Sequence, residues 1–196
     1  MAIIETVPEG EATGRVAEFY GEDVRDQGFV AAHTRVLSLN PSAHAAFDEL
    51  IAAIREQMDP RRYELVTLAA ALGTGSVHCR LAHGRKALPL FDHRQLVRIA
   101  RDYHDAGLSD AEVAMMEYAE RAGRESAAMT EDDSARLRDA GFTDREIVDI
   151  TLAAAARNYY SRAIQALAIE LDDSPGLDDE LWEALTEPLG AVPSRP

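Results

Sequence analysis

The chain has 196 residues, 20 basic and 35 acidic side chains, a formal charge of −15 and a single cysteine. That length suits one domain with a real core, and a lone cysteine excludes an internal disulfide and any zinc centre built from several thiolates. The acidic excess opposes counterion-driven binding to nucleic acid and attraction to anionic lipid, so no nucleic acid and no membrane is expected as a partner.

Met1 to Val7 has no basic flank and few apolar residues, so it does not read as a secretory signal. No apolar run approaches the roughly 20 residues of a membrane helix, and the expected compartment is the cytoplasm, where thiols stay reduced.

Apolar residues recur at helical spacing, and strict alternation is missing, so the fold class is all-α with about eight to ten helices. Asn40-Pro41 supplies a cap and a first-turn proline for a stripe of Ala43, Phe47, Leu50, Ile51, Ile54 and Met58. Asp59-Pro60 ends that helix and opens the next, which runs to Gly73. Ser109 with Glu112, and Thr143 with Glu146, have capping-box spacing, and Gly141 sits where a helix beginning near Thr130 should stop.

Val66 to Ala71 and Ile150 to Ala155 are alike, 84 positions apart, and suggest two pseudo-repeated helical halves. In that alignment Ser76, Cys79 and His83 face Tyr160, Ala163 and Leu167, so the second copy would be scaffold. The division expected is a helical domain over 1–172, with the chemistry in 60–88, and an acidic C-terminal extension over 173–196. The tail from Leu171 to Glu187 carries seven acidic residues, no basic one and a break at Pro175-Gly176. Leu177, Leu181, Trp182 and Leu185 mark a short helix there, either docked on its own domain or open to a subunit contact.

The chemistry-bearing stretch runs from Arg61 to His83. Gly73 and Gly75 turn the chain, Ser76 caps a new helix, and Cys79 falls in its first turn, where unpaired amides and the positive helix end favour a thiolate. Ser76, Cys79 and His83 share a face at i, i+3 and i+7, while His78 is rotated by about 100° and only flanks it. His83 is placed to take the Cys79 proton. Glu64, on the preceding antiparallel helix, can orient a histidine or pass a proton on if burial raises its pKa. Ser76 either donates to the thiolate or merely caps the helix. The competing reading is structural: Cys79 as a small buried hydrophobe, His83 as a hydrogen-bonded residue, Glu64 paired with Arg61 or Arg62 at the surface. His78 and His83 diverge by about 140°, so no metal and no cofactor is expected. His33, His44, His93 and His104 default to surface or cap roles, with His44 able to reach the site only through tertiary packing.

Glu64, then Ser76-Val-His78-Cys79 and His83, resembles the alkylhydroperoxidase D-like, carboxymuconolactone decarboxylase superfamily. Ala12-Thr-Gly14 with Phe19-Tyr20, Leu37 to Pro41, Leu137 to Phe142, Asn158 and Arg162 extend the likeness over residues 10 to 172. The resemblance implies an AhpD-like multihelical fold, a homo-oligomer, and reduction of small hydroperoxides. It implies Cys79 as the peroxidatic thiol, His83 and His78 as the motif histidines and Glu64 as the relay acid. Ser76 stands where two-cysteine members carry their other cysteine. An external thiol would then have to resolve an oxidised Cys79: a low-molecular-weight thiol, a partner such as a lipoyl-type protein, or Cys79 of another subunit. The alternatives are an acid/base enzyme acting on a small carboxylate or lactone, as in the decarboxylase branch, and a non-catalytic assembly module.

Overall fold

A computed structural model describes residues 4–173 and 176–190. Ile3 and the residues before it, within the stretch read for a secretory signal, lie outside the described residues, as does Pro175 of the expected break. Among the described residues there are ten α-helices and no strand. They are α1 (Gly14–Gln27), α2 (Ala32–Leu37), α3 (Pro41–Glu56), α4 (Pro60–Thr74), α5 (Val77–Ala87), α6 (His93–Arg101), α7 (Asp110–Glu125), α8 (Glu131–Asp139), α9 (Asp144–Ala166) and α10 (Asp179–Thr186).

Side chains anticipated as caps begin several of these helices. Asn40 accepts the Ala43 amide, Asp59 the Arg62 amide and Ser76 the Cys79 amide, and Ser109 and Thr143 form full capping boxes with Glu112 and Glu146. The two capping-box glutamates also hold α4 in place. Arg61 Nε donates to Glu112 at 2.8 Å and Arg62 Nη1 to Glu146 at 2.7 Å, fixing the first turn of α4 to the starts of α7 and α9. Those arginines are therefore engaged elsewhere and do not pair with Glu64.

α4 is the central helix, packed against α5, α7 and α9. Every residue from Tyr63 to Ala71 is buried, so no polar face exists to give it an amphipathic period. Small residues let α7 come close: a Cβ on Gly73 would collide with the Glu120 carbonyl, and one on Gly123 would lie 2.6 Å from the Ala70 carbonyl.

α4 and α9 pack together, but the internal likeness stops short of a repeated hairpin. α4 ends at Gly75, which holds a left-handed φ of 68°. Its counterpart is Tyr159, a residue disfavoured in that conformation, and α9 runs on unbroken for 23 residues. On α3, Ile54 is buried and Phe47 and Ile51 pack against the core, whereas Leu50 is 46% exposed and Met58 falls beyond the helix. The expected stripe is thus narrower, because α3 lies at the surface over α9.

α10 packs on α5 and α6, with Leu181 and Leu185 fully buried in the same core as α4. Arg80 fastens it. This buried side chain donates from Nε to the Leu185 carbonyl at 3.1 Å and from Nη2 to the Ala100 carbonyl, the negative ends of α10 and α6. Among the described residues no helix is long and apolar enough to cross a membrane.

Candidate active site

Cys79 occupies the third position of α5 because Gly75 turns the chain and Ser76 caps the helix, its Oγ accepting the Cys79 amide at 3.4 Å. The sulfur is only 2% exposed. Ser76 is spent on the backbone; the hydroxyl that reaches the sulfur belongs to Ser161 of α9, donating to Sγ at 3.2 Å. Arg157, one turn earlier on α9, donates from Nη1 at 3.6 Å. Its burial works against the guanidinium charge, but the Cys79 sulfur offsets this and keeps it firmly protonated. Arg157 Nε is buried without a partner.

The second half of the α4 likeness is therefore not mere scaffold: it supplies both donors to the sulfur. Sequence reasoning missed Arg157 and Ser161 because they lie 78 and 82 positions from Cys79. The local signal available was their own spacing, i and i+4, directly after the alanine run of α9.

His83 and Glu64 meet as a buried pair, Nδ1 to Oε2 at 2.6 Å. A carboxylate only accepts, so Nδ1 carries the proton and Nε2 keeps its lone pair. Burial, helped by the Arg157 charge, pulls His83 down to about 3 and leaves it neutral. Burial alone would raise the Glu64 carboxyl as anticipated, but the His83 bond and the charges of Lys86 and Arg55 reverse the net direction. The carboxyl is held below the usual range and stays ionised. His78 is half-buried and turns its Nε2 to the Glu170 carbonyl at 2.9 Å, not to the sulfur.

Cys79, His83, Glu64, His78 and Arg157 all line one cavity of about 260 Å³. Its aromatic side is a run of rings: Phe47 stacks on Tyr160 at 4.7 Å, His33 meets Tyr160 edge-on at 5.6 Å, and Phe19 lies 4.3 Å from His44. His33 and His44 are thus cavity residues, contrary to their default assignment. Burial draws both below the ordinary imidazole value, His33 to about 3. His93 and His104 sit at the surface against Asp178 and Asp102. Among the described residues no group of three His, Cys, Asp or Glu is arranged to hold a metal ion.

No family model matches the sequence, and no curated protein matches it. Solved structures do share its fold. An uncharacterized peroxidase-related protein of Ralstonia eutropha JMP134, described as an alkylhydroperoxidase AhpD core, superposes with a TM-score of 0.74 at 21% identity, over 93% of this chain and 95% of that one. A peroxidase-related protein of Silicibacter sp. TM1040 gives 0.72 at 22% identity, over 82% and 86%. The debrominase Bmp8, as a Cys-to-Ala variant in complex with 2,3,4-tribromopyrrole, gives 0.74 at 14% identity, over 95% and 97%. The chain has the AhpD-like fold.

Proposed function

We propose that Cys79 is the nucleophile of a one-cysteine hydroperoxide reductase with an external thiol as its reductant. The observation that carries this reading is the sulfur itself: it lies at the wall of a cavity, takes donors from Ser161 and Arg157, and shares that cavity with a neutral His83 backed by an ionised Glu64. A purely structural cysteine has no need of a buried guanidinium beside it, since burying a cation is costly unless an anion faces it.

The thiol proton passes to His83 Nε2, directly or through water, while Glu64 holds the imidazole in the required tautomer and stabilises its charged form. The thiolate attacks the distal peroxide oxygen, the O–O bond breaks, and sulfur is oxidised to a sulfenic acid that keeps the hydrogen of that oxygen. The departing alkoxide or hydroxide takes the proton from His83 and leaves as alcohol or water. Ser161 and Arg157 donate to the sulfur and so favour the thiolate that attacks.

A second reading has its own support in the Bmp8 likeness and the aromatic wall: the thiolate attacks a halogen atom of an electron-rich ring. One experiment separates the readings. Hydroperoxide consumption with a thiol donor, and bromide release from a bromopyrrole, are measured for the protein and for Cys79→Ser. Peroxide consumption lost in the variant supports the first reading. Bromide release without it supports the second, and activity of the variant on a lactone would favour acid/base chemistry.

A further inference from the structure

The proposed reaction leaves a sulfenic acid at Cys79, and the chain holds no second thiol to condense with it. A disulfide needs Cβ atoms about 3.5–4.5 Å apart. The sulfur is 2% exposed on the wall of the cavity, behind α3 and α9, so the Cys79 of a second copy cannot approach it, and neither can a thiol fixed on a folded protein surface. A slender molecule can. The cavity of about 260 Å³ is far roomier than a single water or hydrogen peroxide molecule needs. Arg157, nine-tenths buried on the same wall, still has an Nε–H without a partner.

Charge is segregated around this cavity. Glu22 of α1 and Asp48 of α3 are exposed lining residues gathered about His44, the latter 3.8 Å from its Nε2. Arg55 and Lys86, also exposed lining residues, gather about Glu64. One side attracts an ammonium and the other a carboxylate.

Resting on the hydroperoxide reading, we infer that the reductant is a low-molecular-weight zwitterionic thiol, an amino-acid or short-peptide thiol, which enters this cavity and forms a mixed disulfide with Cys79. Its thiolate attacks Sγ of the sulfenic acid, an S–S bond forms, and the S–O bond breaks to release hydroxide, which is protonated to water. A second molecule's thiolate attacks the small molecule's sulfur, releasing its symmetrical disulfide and returning Cys79 as thiolate. In sum, one hydroperoxide and two thiols give one alcohol, one water and one disulfide.

The test takes the peroxide-treated full chain in two stages. Dimedone first reports whether the sulfenic acid forms; if it does not, the hydroperoxide reading itself fails. The oxidised protein is then mixed with cysteine, glutathione, 2-mercaptoethanol or a dihydrolipoyl protein, and mixed disulfides are followed by intact mass. Cysteine and glutathione are expected to react about fivefold or more faster than 2-mercaptoethanol at equal thiolate concentration, with an advantage that shrinks in high salt. In Lys86→Glu the ratio of the glutathione rate to the 2-mercaptoethanol rate falls about fivefold. Equal rates for the neutral and zwitterionic thiols, or resolution by the dihydrolipoyl protein alone, would overturn the inference while leaving the hydroperoxide reading intact. A second measurement needs no peroxide: resting protein is exposed to cystine or to hydroxyethyl disulfide, and faster capture of cystine by Cys79 is expected. No preference there also overturns it.

Discussion

The protonation state of His83 decides whether it can accept a proton from sulfur, and acid titration of stability reads that state directly. His83 is held neutral, with its pKa at about 3, by burial and by Arg157. In the unfolded chain an imidazole titrates near 6.5. Between those values the unfolded state binds a proton that the native state refuses, so stability is fully present above about pH 6.5 and is lost as the pH falls. At about pH 5.5 the unfolded histidine is roughly nine-tenths protonated, which makes the slope about 1.2 kcal/mol per pH unit. From about pH 6.5 to 4.5 the loss sums to roughly 2.3 kcal/mol, and over that window the result barely depends on where below 4 the native value lies. His83→Asn keeps an N–H for Glu64 but cannot titrate. Urea unfolding at half-unit pH steps, with unchanged m-values, should therefore show a shallower decline for the variant by that amount. His33, also drawn to about 3, contributes the same slope to both proteins and cancels from the difference. Parallel curves for the two proteins would mean that native His83 takes up its proton as readily as the unfolded imidazole, and the account in which burial and Arg157 hold it neutral would then be refuted.

Ser161→Ala removes a hydroxyl 3.2 Å from Sγ. Iodoacetamide alkylation of Cys79 at mildly acidic pH should slow about tenfold or more, with the two proteins converging in alkali, since a hydrogen bond to a charged group is worth about 1.5–3 kcal/mol. Gly73→Ala drives a Cβ into the Glu120 backbone carbonyl, which cannot swing aside. The cost should be about 3 kcal/mol, a fall in Tm of roughly 6–12 °C by calorimetry. Arg80→Met leaves the Leu185 and Ala100 carbonyls without their buried donor. A loss of about 3 kcal/mol in urea unfolding is expected, together with earlier proteolysis near α10.

Local structure was legible in the sequence because caps act over three residues. Asn40, Asp59, Ser76, Ser109 and Thr143 each announce a helix through a side chain that reaches an amide within its own first turn. The Glu64–His83 pair was also within reach, since two consecutive antiparallel helices bring together residues at similar distances from their turn. Charge state was less accessible. The lowering of Glu64 comes from His83 first, with Lys86 and Arg55 adding to it, and that of His83 from burial first, with Arg157 adding to it, and only the packed structure brings those groups together. Burial by itself predicts the wrong sign for Glu64. His33 and His44 stayed hidden for the same reason, because α2 and α3 reach the cavity by packing and not by any spacing along the chain.

Arg157 links the two halves of the site. A guanidinium buried beside an imidazole keeps that imidazole neutral, and so preserves the base that the thiol requires. The same guanidinium needs an anion to offset its own desolvation. The nearby buried carboxylate, Glu64, is already bonded to His83 at 2.6 Å, and the hydrogen bond from Arg157 goes instead to sulfur. The cation is thus satisfied when Cys79 is ionised, and its charge adds to the burial that keeps the imidazole neutral. Ser76 takes no part in this arrangement, since its hydroxyl accepts the Cys79 amide at the start of α5. In the proposed reaction, nucleophile activation, drawn from α4, α5 and α9, is therefore separable from resolution by an external thiol.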